Sequence, residues 1–200
     1  IVTAALAAAV VGCSGSVQTP TQPDVITVPA RFTTANQDGS PKNHHTHLKG
    51  DEEVFTAAPG APTPADSHAQ GQAMFKVSPD GQSVDYKLIA SNIHNVTQAH
   101  IHCAPAGANG PILIWLYPDP TATSARPGGA GRQNGVLAEG TFDNSHVRQA
   151  CPGGAPTLAD LLDRIRDGNA YVNVHTDDGV APTNQGPGDF PGGEVRGQIR

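Results

Sequence analysis
Aromatic side chains are scarce in this 200-residue chain, at 4%, and charged ones are few, at 15%. Set beside 23 Gly and 18 Pro, that profile excludes a typical helical bundle and suits a β-rich domain with many turns. A basic excess is missing too. Twelve Lys and Arg against 18 Asp and Glu leave a formal charge of −6, which argues against nucleic acid as a partner. No Gly-x-Ser-x-Gly elbow, phosphate-binding loop, dinucleotide fingerprint or internal repeat is present, so the common hydrolase and nucleotide chemistries drop out. The length still suffices for one domain with extensions and an adequate core.

The first stretch, "IVTAALAAAVVGCSGS", is apolar and small. From Ile1 to Gly12 it is too short to span a bilayer as a helix, which takes about 20 residues. It fits the apolar region of an export signal without an initiator Met or basic flank. Val11-Gly12-Cys13 resembles the lipobox of bacterial lipoproteins, so residues 1–12 are expected to be cleaved and Cys13 to carry a membrane lipid. An ordinary secretory signal with an incidental Cys is the simpler alternative. Residues 13–43, rich in Ser, Thr, Pro and Gln, read as a flexible tether, in which "VITV" is compatible with an edge strand. The domain is expected over 44–200.

With Cys13 assigned to lipid, Cys103 and Cys151 remain as an even pair, which oxidises outside the cytoplasm. A bridge closing a loop of about 50 residues would stabilise by roughly 4 kcal/mol. The rival role for Cys103, as a soft metal ligand, is weakened by its side chain pointing away from His100 and His102 on a regular strand.

Strand signals fill the rest. "AMFKVSPDGQSVDYKLIAS" reads as a hairpin turning at Pro79-Asp80-Gly81. "AHIHCA", "PILIWLY", "GVLAEGTF" and "AYVNVHT" are further strands. In the closing "GGEVRGQIR", Glu194, Arg196 and Gln198 alternate with Val195, Gly197 and Ile199, which predicts one wet and one packed face. Trp115 reads as core. One helix is expected in "APTLADLLDRIRDGNAY", with Thr157 as cap, Leu158, Leu161, Leu162 and Ile165 as the apolar stripe, and Gly168 as stop. Two long Gly/Pro-rich loops, "PDPTATSARPGGAGRQNG" and "DDGVAPTNQGPGDFPGG", are where function or disorder concentrates. The expected class is all-β: an antiparallel immunoglobulin-like sandwich or Greek-key barrel with one short helix.

Nine histidines remain to be placed. His100 and His102 lie two apart on one strand and share a face; Tyr171, Asn173 and His175 share a face of another. If the faces meet, three imidazoles converge, and imidazole suits copper and zinc. The competing reading makes them polar fillers, hydrogen-bonded to backbone and Asn173. His47, in "NHHTH", is a fourth candidate ligand, and Asp51, Glu52 and Glu53 follow it with carboxylates. His44 and His45 sit where tether meets domain, while His68, His94 and His146 read as surface residues. No spaced oxygen-ligand pattern follows Asp177-Asp178 to mark a calcium loop.

The blocks "HLKGDEEV", "GQAMFKVSPDGQSVDYKLIASNI", "AHIHCAPAGANGPILIWL", "GNAYVNVHT" and "GGEVRGQI", in this order, resemble the CHRD domain, a module common in bacterial exported proteins. The resemblance runs from about His47 to Arg200 and implies an all-β fold. It implies little about activity. A weaker similarity, to copper/zinc superoxide dismutase, rests on the His-x-His strand, the Gly-rich turn after it, and His175 ahead of a Gly-rich loop and final strand. In that family such histidines hold copper. This chain departs from it in having no bridging histidine after His102 and no His/Asp cluster for zinc. The expected function is therefore an exported, membrane-anchored binding module of the cell envelope, holding copper or zinc through histidines or holding no metal, with an envelope or extracellular protein as partner. The alternative is a metalloenzyme of dismutase-like or other redox type.

Overall fold
The computed structural model describes residues 43–200; the apolar leader, Cys13, the tether and "VITV" lie outside the described residues. The described chain forms eight strands: β1 (Asn43–Lys49), β2 (Gln70–Val77), β3 (Ser83–His94), β4 (Val96–His102), β5 (Ile112–Tyr117), β6 (Arg132–Asp143), β7 (Tyr171–Thr176) and β8 (Val195–Gln198). One helix, α1 (Leu158–Arg166), lies between β6 and β7. All pairings are antiparallel, in the order β5-β4-β7-β8-β1-β2-β3-β6. The expected class is what is found. Four strands on each side meet where Lys49 of β1 pairs with Arg196 of β8. The outer strands β5 and β6 approach one another, so the sheet nearly closes into a barrel and leaves little open edge.

Local chemistry explains the elements. β2 and β3 form the expected hairpin, with Asp80 Oδ1 accepting from Ser78 Oγ (2.6 Å) and Gln82 N (3.1 Å) and Gly81 at φ 70°. His44 and His45, placed at the tether boundary by sequence, belong to β1, whose register sets them opposite Phe75 and Met74. They fit a strand because the alternating exposed and buried pattern of "NHHTHLK" gives β1 an inner face in Thr46 and Leu48. Inside the barrel, Leu48, Leu88, Ile93, Ile101, Ile114, Val172 and Val174 are fully buried. Phe75, Tyr86 and Phe142 form an aromatic group with centroids 6.0–6.5 Å apart. Tyr86 donates its hydroxyl to Leu116 O at 2.7 Å, linking β3 to β5 across the core.

Thr157 caps α1 by accepting from Asp160 N (3.2 Å). Leu158, Leu161, Leu162 and Ile165 are all buried, and the helix stops as Gly168 N donates to Ile165 O and Asn169 N to Arg164 O. Cys103 and Cys151 sit at disulfide distance, their Cα atoms 5.7 Å apart, and tie the end of β4 to the segment ahead of α1. Among the described residues no helix is long and apolar enough to cross a membrane.

Replacing both Cys103 and Cys151 by Ser should lower unfolding free energy by roughly 4 kcal/mol, the chain-entropy value for such a loop. Urea midpoints of the two proteins measure it; coincident curves would show that the link contributes nothing.

Candidate metal centre
The site is built on strands that are buried on both faces. Along β4, β7 and β8 the register sets His100 beside Asn173 and Asn173 beside Arg196, with His102, Tyr171 and Gln198 one pair further on. Ala99, Ile101, Val172, Val174 and Val195 point into the barrel at 0% exposure. The opposite face carries His100, His102, Tyr171, Asn173, His175 and Arg196, all of them buried as well. This corrects the expectation of a wet face on the last strand: Glu194 and Arg196 are 0% and 1% exposed. The correction has a plain cause. Alternation shows which side chains share a face, but not whether loops cover that face.

Three segments do the covering. The loop after β4 is held by Arg196, whose Nη1 donates to Asn109 Oδ1 (3.0 Å) and Nη2 to Pro105 O (3.3 Å) and Ala108 O (2.8 Å). The loop after β7 is held by the Glu194 carboxylate, which accepts from Thr176 Oγ1 (2.7 Å) and Gly188 N (2.9 Å). Ser67 Oγ, in the segment after β1, donates to the same carboxylate. Gly193 closes over Asn173 so tightly, at φ 134°, that a Cβ would collide with Asn173 Nδ2 and Glu53 Oε1.

Under this cover the three histidines converge, with one ring nitrogen from each within 4.8 Å of the other two. Hydrogen bonds set the tautomers. His102 Nδ1 lies 3.0 Å from Gly110 O and His175 Nδ1 2.8 Å from Pro191 O; a carbonyl only accepts, so both nitrogens carry the proton. His175 Nε2 then has a lone pair, and His100 Nδ1, 3.2 Å away, donates to it. His100 Nε2 and His102 Nε2 are left as buried acceptors with no partner in the protein. Trp115, read from sequence as core, is only half-buried and stands edge-on against His100, centroids 4.3 Å apart. The register explains this, since Trp115 pairs with His100 on the polar face while Ile114 takes the inner position. His102 stacks on Tyr171 at 4.9 Å and 9°.

Burial, reinforced by His175 and His102, drives the His100 pKa down to about 2. Burial likewise lowers His102 and His175 to about 4. Neutral imidazoles are the form a metal requires. At metal–nitrogen distances of about 2.0–2.1 Å, tetrahedral ligands stand roughly 3.4 Å apart, so the rings need to close by an ångström or so to share one ion. Half-buried Glu53 accepts from Asn173 Nδ2 at 3.0 and 3.1 Å. Burial raises its carboxyl to about 8 against the lowering pull of Arg196.

His47 is not brought to this group. It lies exposed on β1 opposite Gln72 and lines a surface cleft of about 200 Å³ with His45, Lys49 and Glu52. His68 and His94 are exposed as expected, and His146 sits 2.9 Å from Asp143 Oδ1 in a short turn. Sequence reasoning missed the buried Arg196 and the role of Glu53, because nothing in "GGEVRGQIR" or "GDEEV" marks the chain that will fold over them.

The CHRD domain family matches residues 45–199, and the chain belongs to that family. Its domains are those of extracellular or envelope proteins. A search of curated proteins returns no match.

The buried groups fix a pH dependence for the metal-free protein. The unfolded histidines take up protons near 6.5 while the folded ones refuse them until about 4 or below, so stability falls as pH drops below about 6.5, by up to ~1.4 kcal/mol per pH unit per imidazole. Glu53 acts oppositely: its raised pKa stabilises at low pH, and that contribution is lost as pH rises through about 8. Urea unfolding with chelator present should therefore show maximal stability near about pH 7. A flat profile from pH 7 to 5 would contradict the burial of three neutral imidazoles.

Proposed function
We propose that this CHRD domain is an exported metal-binding module that holds one copper or zinc ion through His100, His102 and His175. The observation that carries the reading is the pair of buried, unpartnered lone pairs on His100 Nε2 and His102 Nε2. A polar face that served only as structure would satisfy these nitrogens. Here the two lone pairs belong to a group in which one ring nitrogen of each histidine lies within 4.8 Å of the other two. Burial resists protonation, and His175 Nε2 would give up its bond from His100 Nδ1 to bind the ion. A cation is the group that answers both facts. The second-nitrogen bonds to Gly110 O and Pro191 O are those that orient metal-bound imidazoles. Val11-Gly12-Cys13 supports attachment to a membrane through lipid on Cys13, with the domain facing the envelope or extracellular space. An envelope or extracellular protein is the proposed partner.

A redox metalloenzyme is the second reading. It is favoured by the ligand count, since three protein nitrogens leave a fourth position for water or substrate. Superoxide consumption by the copper-loaded protein, lost on chelation, would select it over a binding module.

Elemental analysis after loading with copper or zinc and extensive washing should give close to one ion per chain. His100→Ala/His102→Ala should retain none. Equal metal in both proteins, or none in either, would end the proposal and leave the histidines as structure.

A further inference from the structure
The geometry points to a second cation site: we propose that Asp177, Asp178 and Asp189 bind calcium in the long loop between β7 and β8. This site is separate from the histidine triad and uses none of its residues. One carboxylate oxygen from each aspartate lies within 4.8 Å of the other two. An acidic cluster alone would mean nothing, but Asp189 is 3% exposed. Its Oδ2 accepts from Gln185 N at 2.9 Å, while its Oδ1 has no partner. A buried carboxylate oxygen without a donor is costly unless a cation meets it. None of the described ion pairs involves any of the three aspartates; Asp177 Oδ1 and Asp178 Oδ1 accept from the backbone N–H groups of Gly179 (2.7 Å) and Val180 (2.8 Å).

The surroundings are shaped as well as charged. Asn184, whose backbone N donates to Asp189 O at 3.0 Å, has a buried Oδ1 that is likewise unpartnered. It brings a neutral oxygen into the same loop. From the other long loop, Gly129 N donates to Asp177 O at 3.0 Å, and a Cβ on Gly128 would press to 2.7 Å of that oxygen. The two glycines let the loops meet at Asp177.

Carboxylate and amide oxygens are hard ligands, unlike the imidazoles of the triad, and select calcium over copper. Calcium is also favoured over magnesium, which demands a smaller octahedron and keeps its waters. The aspartates are unevenly spaced in sequence and meet only through the fold, which is why the spacing of Asp177-Asp178 gave no calcium signal.

Calcium alone is titrated into the EDTA-stripped full chain while thermal unfolding is followed. Calcium at tenfold its dissociation constant, about 10⁻⁴–10⁻³ M for extracellular modules, should raise Tm by about 3–6 °C. Magnesium should do markedly less. Asp189→Asn should melt no lower than the calcium-free parent, because it removes an uncompensated buried charge, and should not respond to calcium. Asp178→Asn should weaken the response at least tenfold, and decides the matter alone if Asp189→Asn fails to fold. His100→Ala/His102→Ala should keep the full response. No shift at about 10 mM calcium, or a shift retained in the aspartate variants, overturns the site.

Discussion
Burial of the Arg196 guanidinium is the constraint from which the rest of the site follows. A charge taken out of water must be surrounded by acceptors, and leaving it without them costs about 3–5 kcal/mol. The loop after β4 supplies three of them, and the Tyr171 ring lies 3.4 Å beneath the guanidinium. That loop then delivers Gly110, whose carbonyl fixes the His102 tautomer and whose N–H donates to Tyr171 Oη. One side chain on β8 thereby orients a histidine two strands away. A lysine has neither the planar fork to hold three acceptors nor the face to stack on a ring. Cys103, bonded to Cys151, pins the same loop where it leaves β4.

Electrostatics around the triad follow from the same burial. Arg196 opposes protonation of His102, adding to the desolvation that keeps all three rings neutral. The same positive charge also works against any cation at the triad, so a neutral ligand set needs a compensating anion nearby. Glu53 is a carboxyl joined to this face. Its carboxyl takes both bonds from Asn173, the residue between His100 and Arg196 in the register. Desolvation favours its protonated form, whereas an added cation favours the ionised one. A proton released from Glu53 would offset part of the metal's charge without moving the backbone.

Much of this was legible in the sequence because it rests on local rules. The hairpin at Asp80-Gly81, the Thr157 cap and the four-residue stripe of α1 each depend on neighbours within a turn or two, and each is found as read. The shared face of His100 and His102 follows from a period of two, and its meeting with His175 required only that β4 and β7 be adjacent. What could not be read was the third dimension of cover. Glu194 and Arg196 alternate with apolar residues as a solvated strand does, yet loops from elsewhere in the chain bury them. Trp115 between aliphatic neighbours reads as core by composition, but its parity is set by pairing with His100. His47 shares its residue type with the triad and not its place, since β1 turns that side chain to solvent.

The loop between β7 and β8 joins the two proposed cation sites mechanically. Asp189 carries the unpartnered carboxylate oxygen, and Pro191, two residues on, holds His175 Nδ1 at 2.8 Å. Between them Phe190 is fixed by its N–H to Thr176 Oγ1 (3.0 Å) and by its ring against Phe55 (5.7 Å). A cation that meets Asp189 Oδ1 would tie down the segment that ends at Pro191 O, the acceptor of the imidazole N–H. Linkage makes such an effect reciprocal: whatever factor calcium contributes to imidazole–metal affinity, the imidazole-bound metal returns to calcium. The connection is short, passes through groups already hydrogen-bonded, and needs no change of fold. Where calcium is plentiful and copper or zinc scarce, the loop would be set first by the abundant hard ion, leaving the histidines arranged for the rarer soft one.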